Sequence, residues 1–424
     1  MRPRRFRRFR PIVRPPLGRR LPRELRGRHV GKLAGRLPGG VRDPGFEILL
    51  RRIDGAPVLG SNQVEPYFGG KDAFAAMREA VAGAQREILL ESYIYKDDST
   101  GRDFLDDLAA AAGRGVAVKV LADALGSIST KSEFWREMEG RGIEVCLFHP
   151  LFGRLWYQPF RDHRKILVVD RRVAFTGGMN IGEEYGSTSA RPQPGATWRD
   201  THVRVIGPAA WEMAVVFAES WTYAGGSQLA LSPLAAEEAE GPGSRILVLD
   251  SRPKRGQAES ASALAAIVGA ARRYVWITNS YFAPGWAAVR VLGQAARRGV
   301  DVRLLLPGKT DVPIVRHAGH GYFSRLLSRG VRIFEYQESI LHAKSLVADG
   351  YVSVAGSTNL DFRSFLFNAE CDLVMLCEET AGRMERAFEE DLRSSVEIAR
   401  KDWRRRPFLH QMADRAARLL APVL

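Results

Sequence analysis

The chain has 424 residues, 45% hydrophobic and 26% charged, which suits a folded body of about two domains. No run approaches the roughly 18–20 uninterrupted apolar residues of a membrane-spanning helix. Three cysteines, Cys146, Cys371 and Cys377, offer neither a disulfide framework nor a metal-site spacing, which points to core packing in a reducing compartment. The net charge of +15 invites nucleic acid or an anionic surface, but fifteen Lys and Arg against Glu24 and Asp43 put +13 on residues 1–44, leaving +2 on the other 380.

Residues 1–44 mix Arg with Pro and Gly without apolar periodicity, so an unstructured tail is expected there. From residue 45 regular patterns begin. Helical spacing over 72–84 is followed by an apolar strand at 87–95, a helix at 103–114, an alternating strand at 116–122, a helix at 132–140 and a strand at 144–148. After a Gly/Ala/Ser/Glu-rich linker at 224–244 the order recurs: helix 264–271, strand 274–280, helix 287–297, strand 300–306, helix 322–328 and strand 331–336. AARRGVDVRLLL at 295–306 echoes AAGRGVAVKVLA at 111–122, and Tyr281 follows Tyr93 by 188 residues, as Gly330 follows Gly142. The chain therefore reads as a duplicated α/β unit, 45–223 and 245–424, each with a mixed sheet flanked by helices.

Each copy ends in the same signature. His163, Lys165, Asp170, Gly178 and Asn180 in the first correspond to His342, Lys344, Asp349, Ser357 and Asn359 in the second. His to Asp is seven residues and Asp to Asn ten in both. On a strand, residues two apart share a face, so each His and Lys point together while each Asp, at an odd offset, points away and reads as structural. The Gly-rich turns allow close backbone approach and the asparagines offer amide donors. The composition has 53 Arg and ten Lys, yet both His+2 positions are Lys, as if a compact ammonium were wanted there. Two imidazoles, two ammonium groups and two amides at a pseudo-twofold interface suit a phosphodiester, whose oxygens need donors and whose exchange needs proton transfer on both sides.

This doubled pattern, HxK(x4)D(x6)G[GS]xN, resembles the phospholipase D superfamily. With WRDTHVRVIGP at 198–208 and LHAKSLVADGYVSVAGSTNLDFRSFLFNAE at 341–370, it resembles bacterial cardiolipin synthases of the type without amino-terminal membrane helices. The resemblance implies a duplicated fold with the active site between halves, and His163, Lys165, Asp170, His342, Lys344 and Asp349 as the catalytic motif. It also implies phosphate contact by Asn180, Asn359, Gly178 and Ser357. Asp200 and Glu370 would orient the histidines, with Glu183, Tyr185, Arg363 and Ser364 as weaker candidates for substrate contact. It implies a ping-pong transfer from one phosphatidylglycerol to another through a phosphatidyl-histidine, with no cofactor, no metal and no nucleic-acid partner. By family analogy His163 is the nucleophile and His342 the acid/base, though sequence symmetry permits the reverse. A hydrolase or transphosphatidylase using another acceptor, or a nuclease, are the alternatives.

Without a span, such an enzyme would sit peripherally on the cytoplasmic face of the membrane. An aromatic segment, Phe148, Phe152, Trp156, Tyr157 and Phe160, could form the mouth. The last segment, 407–424, carries an apolar helical stripe through Phe408, Met412 and Leu419 that could lie on a bilayer or pack on the body. The basic tail could tether to anionic lipid.

Overall fold

The computed structural model describes residues 28–150, 160–186, 197–231, 242–252 and 259–421. The aromatic segment lies mostly at 151–159, and the stretches 1–27, 187–196, 232–241, 253–258 and 422–424 likewise lie outside the described residues.

The first copy supplies strands β1 (Val58–Gly69), β2 (Glu87–Ser92), β3 (Ala117–Asp123), β4 (Glu144–Phe148), β5 (Arg161–Asp162), β6 (Lys165–Val169), β7 (Val173–Gly177) and β8 (Arg199–Ile206). The second supplies β9 (Ser244–Ser251), β10 (Tyr274–Asn279), β11 (Asp301–Pro307), β12 (Arg332–Tyr336), β13 (Lys344–Ala348), β14 (Val352–Gly356), β15 (Asn368–Leu376) and the short β16 (Ser395–Glu397). The strands run in the order β16-β12-β11-β10-β13-β14-β15-β9-β1-β8-β7-β6-β2-β3-β4, so the halves mirror one another about the β1–β9 junction. In each half three strands pair in parallel, β2-β3-β4 and β10-β11-β12. The remaining pairs within each half are antiparallel, β6–β7 and β13–β14 being tight hairpins. The expected mixed sheets are present, and β1 pairing antiparallel with β9 joins them edge to edge. The join removes two open edges that separate sheets would expose.

β6 and β15 are buried along their whole length; β6 accordingly reads as a continuous apolar run after Lys165, whereas β15 also buries Asn368, Glu370 and Asp372. Helix Pro208–Ala224 is apolar nearly all round because it lies in a core shared by both halves, with Met213, Phe217, Val248, Val347 and Met375.

One expectation needs correction. Residues 28–44 are not an extended tail. Arg28–Ala34 is a helix whose Val30 and Ala34 are buried against Glu259–Ala270. Glycines permit that contact: a Cβ on Gly31 would stand 2.8 Å from the Ala265 carbonyl oxygen, and one on Gly269 would stand 2.3 Å from that of Gly31. Two glycines and a short run of small residues carry little apolar period, so the helix is hard to see in the sequence.

Candidate active site

Both motifs begin where a strand of one half is captured by the other. β5 pairs in parallel with the start of β15, and the His163 amide donates to the Ala369 carbonyl at 2.9 Å. Reciprocally, the His342 amide donates to the Arg199 carbonyl at 2.7 Å and the Arg199 amide to Ile340 at 2.9 Å. This exchange sets the side chains in crossed pairs. His163 Nδ1 lies 3.0 Å from Glu370 Oε2, and His342 Nδ1 lies 2.8 Å from Asp200 Oδ2. Each imidazole is thus oriented by a carboxylate from the opposite copy. Donation from Nδ1 leaves Nε2 of each ring as the reactive atom.

The lysines follow two residues on, on the same face. Lys165 Nζ donates to the His163 carbonyl at 2.6 Å, and Lys344 Nζ stands 3.0 Å from His342 Nε2. All four groups are buried, so charge is costly unless countered. Burial, then the charges of Lys165 and Lys344, holds the His163 imidazole well below its ordinary range. Burial and Lys344 pull His342 down to about 4 against the opposing attraction of Asp200. Burial lowers Lys165 to about 7 and Lys344 to about 8, with Glu370 and Asp200 opposing the shift. The carboxylates differ. Burial raises Glu370 to about 7, opposed by Lys165 and Ser357. Burial also raises Asp200, but His342 and Lys344 outweigh it and the carboxyl lies below its usual range. Attraction to His342 cannot hold Asp200 low if His342 carries no charge. We take the pair as an ionised Asp200 accepting Nδ1–H from a neutral ring, which the 2.8 Å contact satisfies and Lys344 balances.

Gly178 and Ser357 turn toward the orienting carboxylates. A Cβ on Gly178 would stand 2.2 Å from Asp200 Oδ1, so glycine makes room for the carboxylate. The corresponding Ser357 donates its hydroxyl to Glu370 Oε2 at 2.5 Å. The two positions accommodate a close Asp in one half and a longer, hydroxyl-bridged Glu in the other. The asparagines brace the site. Asn180 Oδ1 accepts from the Ile94 amide at 3.1 Å and its Nδ2 donates to Tyr185 Oη at 2.6 Å, while Asn359 Oδ1 accepts from Ser280 Oγ at 2.8 Å. Tyr185 and Trp198 pack their rings 5.4 and 5.3 Å from that of His342. Ser364 accepts from the Asn359 amide at 3.2 Å, and the Arg363 charge reaches His163. Glu183 is exposed and accepts from Ser99 at 3.1 Å, at the start of helix Ser99–Gly113, away from this cluster.

Asp170 and Asp349, the motif's third members, stand at the far ends of β6 and β13, about 16 Å from the histidine ends at roughly 3.3 Å per residue. Asp170 accepts from the amides of Gln85, Arg86 and Glu87 at 2.8–2.9 Å. Asp349 accepts from those of Arg272, Arg273 and Tyr274 at 2.7–2.9 Å. Both have positive φ, 51° and 52°, in tight hairpin turns closed by Arg172 and Tyr351 amides. Grouping them with the catalytic residues is therefore corrected: they tie a hairpin to the start of β2 or β10, and so fix the strand bearing His and Lys.

Two residues near the reacting groups carry no motif. Tyr93 packs 4.9 Å from the His163 ring with Lys165 5.2 Å above its face; Tyr281 packs 5.8 Å from His342 with Lys344 6.0 Å away. Their shared 188-residue offset was the available signal. Arg164, between His163 and Lys165, points to the opposite face and is buried among Asp250, Glu91 and Asp162. Among the described residues no helix is long and apolar enough to cross a membrane.

Residues 77–188 and 264–392 match the family described as "Cardiolipin synthase, PLD-like domain". The chain is 32% identical over 431 residues to cardiolipin synthase 1 of Bacillus anthracis, covering 99% of this chain and 84% of that one. It is 36% identical over 378 residues to cardiolipin synthase A of Pseudomonas aeruginosa, covering 88% and 76%. A phosphatidylserine synthase of Haemophilus influenzae Rd KW20 has the same fold, with a TM-score of 0.70 at 13% identity over 90% of this chain and 99% of that one. On both the family match and the extent of the relatives, the chain belongs to the cardiolipin synthase family, phosphatidyltransferases of the phospholipase D superfamily.

Proposed function

We propose that the protein joins two phosphatidylglycerol molecules into cardiolipin and glycerol through a phosphatidyl-histidine, working peripherally on the anionic cytoplasmic face of a membrane. The observation that carries this reading is the crossed pair of couples, His163–Glu370 and His342–Asp200. In the first step His163 Nε2 attacks phosphorus, the bond to the departing glycerol oxygen breaks, and the His342 imidazolium gives that oxygen its proton. In the second, neutral His342 takes the proton of a glycerol hydroxyl on a second phosphatidylglycerol. That oxygen attacks phosphorus and expels His163, and His342 ends protonated as it began. One phosphodiester replaces another, so the exchange needs no net energy supply.

Lys165 and Lys344 would balance charge on the non-bridging oxygens, and the Asn359 side-chain NH2 would donate to them. A bound phosphodiester brings the negative charge that offsets the two lysines, which raises His342 toward the protonated form its acid role requires. Asp200, held ionised, favours that imidazolium and supports His342 as the acid/base. Three free cysteines suit the reducing side of the membrane.

The test is purified protein with phosphatidylglycerol vesicles, measuring lipid products and released glycerol. Cardiolipin and glycerol in equal amounts support the reading. Phosphatidic acid alone makes the protein a hydrolase, and the absence of turnover overturns both.

A further inference from the structure

The carboxy-terminal helix Phe408–Leu420 packs on one face only. It lies alongside helix Pro313–Leu327. Asp414 accepts from His317 Nδ1 and Arg406 Nη1, each at 2.8 Å, and Arg418 donates to the Gly321 carbonyl at 3.2 Å. Ala417 and Ala421 join Ala283 and Ala318 in a small cluster against Phe362. At about 100° per residue, the opposite side is an unbroken apolar arc of roughly 140°: Phe408, Leu419, Met412, Ala416, Leu409, Leu420 and Ala413. These residues are exposed, Leu409 to 78% and Leu419 to 77%. Phe408 and Leu419 cap the two ends of the stripe.

The surroundings say what would cover this face. Exposed Arg415 lies next to Phe408 around the helix, exposed Arg400, Lys401, Arg404 and Arg405 directly precede the helix in the chain, and Arg418 lies 5.1 Å over the ring of Trp286, itself half exposed. An apolar arc rimmed by arginines, with a tryptophan beside it, matches the depth profile of a bilayer interface carrying anionic headgroups. Through its packed side the helix also adjoins the site. Phe362 opens the short helix Phe362–Leu366 between Asn359 and Glu370, and the Ala283 amide donates to the Leu360 carbonyl at 2.8 Å. Two residues before Ala283, Tyr281 packs on the His342 ring. One small alanine cluster thus connects the apolar helix to both ends of the second motif.

We propose that this helix docks on anionic lipid, with its apolar arc in the interface and its arginines among the headgroups, so that the site mouth opens onto the membrane supplying its substrate. The choice of a lipid partner rests on the phosphatidyltransferase reading, but the docking itself is measured without turnover.

The experiment compares wild type with Leu409→Glu and Leu420→Glu, both exposed and outside the core cluster beneath the helix, in flotation with phosphatidylglycerol vesicles, with circular dichroism to verify folding. Each substitution should cut vesicle partitioning roughly tenfold or more. Turnover on vesicles should fall in step, while turnover on detergent-dispersed phosphatidylglycerol stays within about twofold. Partitioning should also weaken on neutral phosphatidylcholine vesicles and at high salt. Unchanged vesicle binding in both variants overturns the proposal. So does a change in size-exclusion mass with vesicle binding intact, which would make a second copy of the chain the partner. Loss of partitioning from a wild type inactive on every lipid would keep the docking and discard the enzymatic reading.

Discussion

His163 and Glu370 stand 207 residues apart in different copies of the duplicated unit, yet their side chains meet at 3.0 Å. The reciprocal pair, His342 and Asp200, meets at 2.8 Å across 142 residues. Neither motif histidine takes its orienting carboxylate from its own copy. Duplication here gives one site rather than two, and the β5–β15 and Arg199–Leu341 pairings are the backbone means of the exchange.

Crossing separates the roles of the two carboxylates. Asp200→Asn should impair proton delivery by His342, lowering kcat on phosphatidylglycerol by about 10²–10⁴-fold. Most of that loss should disappear with a p-nitrophenyl phosphodiester, whose leaving group needs no proton. Glu370→Gln should impair attack by His163 and show no such recovery. Equal recovery in both variants would contradict the assignment.

The pH profile follows from the buried charges. Glu370, raised to about 7, is ionised and able to hold His163 Nδ1–H only above that pH, so kcat/KM should fall as pH drops through it. Lys165 and Lys344, lowered to about 7 and about 8, lose their positive charge as pH rises, so kcat/KM should fall again on the alkaline side. A narrow bell centred between about 7 and 8 is expected. In Glu370→Gln the acid limb should vanish while the alkaline limb remains. Initial rates from pH 5 to 10 in detergent-dispersed substrate measure this directly.

Gly178→Ala tests the room left for Asp200. The added Cβ would meet a carboxylate oxygen at 2.2 Å, so Asp200 must move and release His342. The expected cost is about 1–3 kcal/mol in stability, with kcat falling and KM changing little. Ser357→Ala removes only a hydroxyl from Glu370 and should be milder; thermal melts and steady-state kinetics distinguish the two.

The amino-terminal helix gives a truncation test. Deleting residues 1–27 removes eleven arginines and Glu24, +10 of the net +15, and leaves the helix Arg28–Ala34 in place as the reference. Deleting 1–44 also removes Val30, Ala34 and Val41 from the core and should cost several kcal/mol, since burying one such side chain contributes about 1.5–3 kcal/mol. Equal melting temperatures would refute the packing of this segment.

What was legible in the sequence was whatever recurs locally. The repeated strand–helix order, the equal His-to-Asp and Asp-to-Asn intervals, and the strand parity that turns Asp170 and Asp349 away all follow from spacing within one copy. The family resemblance pointed to Asp200 and Glu370 as orienting groups, but not to which histidine each would hold. That depends on β5 being captured by β15, a contact between copies that no local pattern encodes. Gly178 and Ser357 stand in turns that allow close backbone approach; that each also meets an orienting carboxylate depends on the facing strand and is not legible locally. For the last helix, the sequence allowed either lipid contact or packing on the body. The helix packs through Asp414, Ala417 and Ala421 while its apolar arc stays exposed.

The central claim is a single two-histidine site in which His163 carries the phosphatidyl group. Rapid quenching in alkaline detergent with phosphorus-labelled phosphatidylglycerol, which spares an acid-labile phosphorus–nitrogen bond, then peptide mapping at alkaline pH, tests it most directly. The account predicts label on the peptide containing His163, chased into cardiolipin by unlabelled phosphatidylglycerol and absent from His163→Ala. Label on His342, or cardiolipin formed at wild-type rates by His163→Ala, would contradict it.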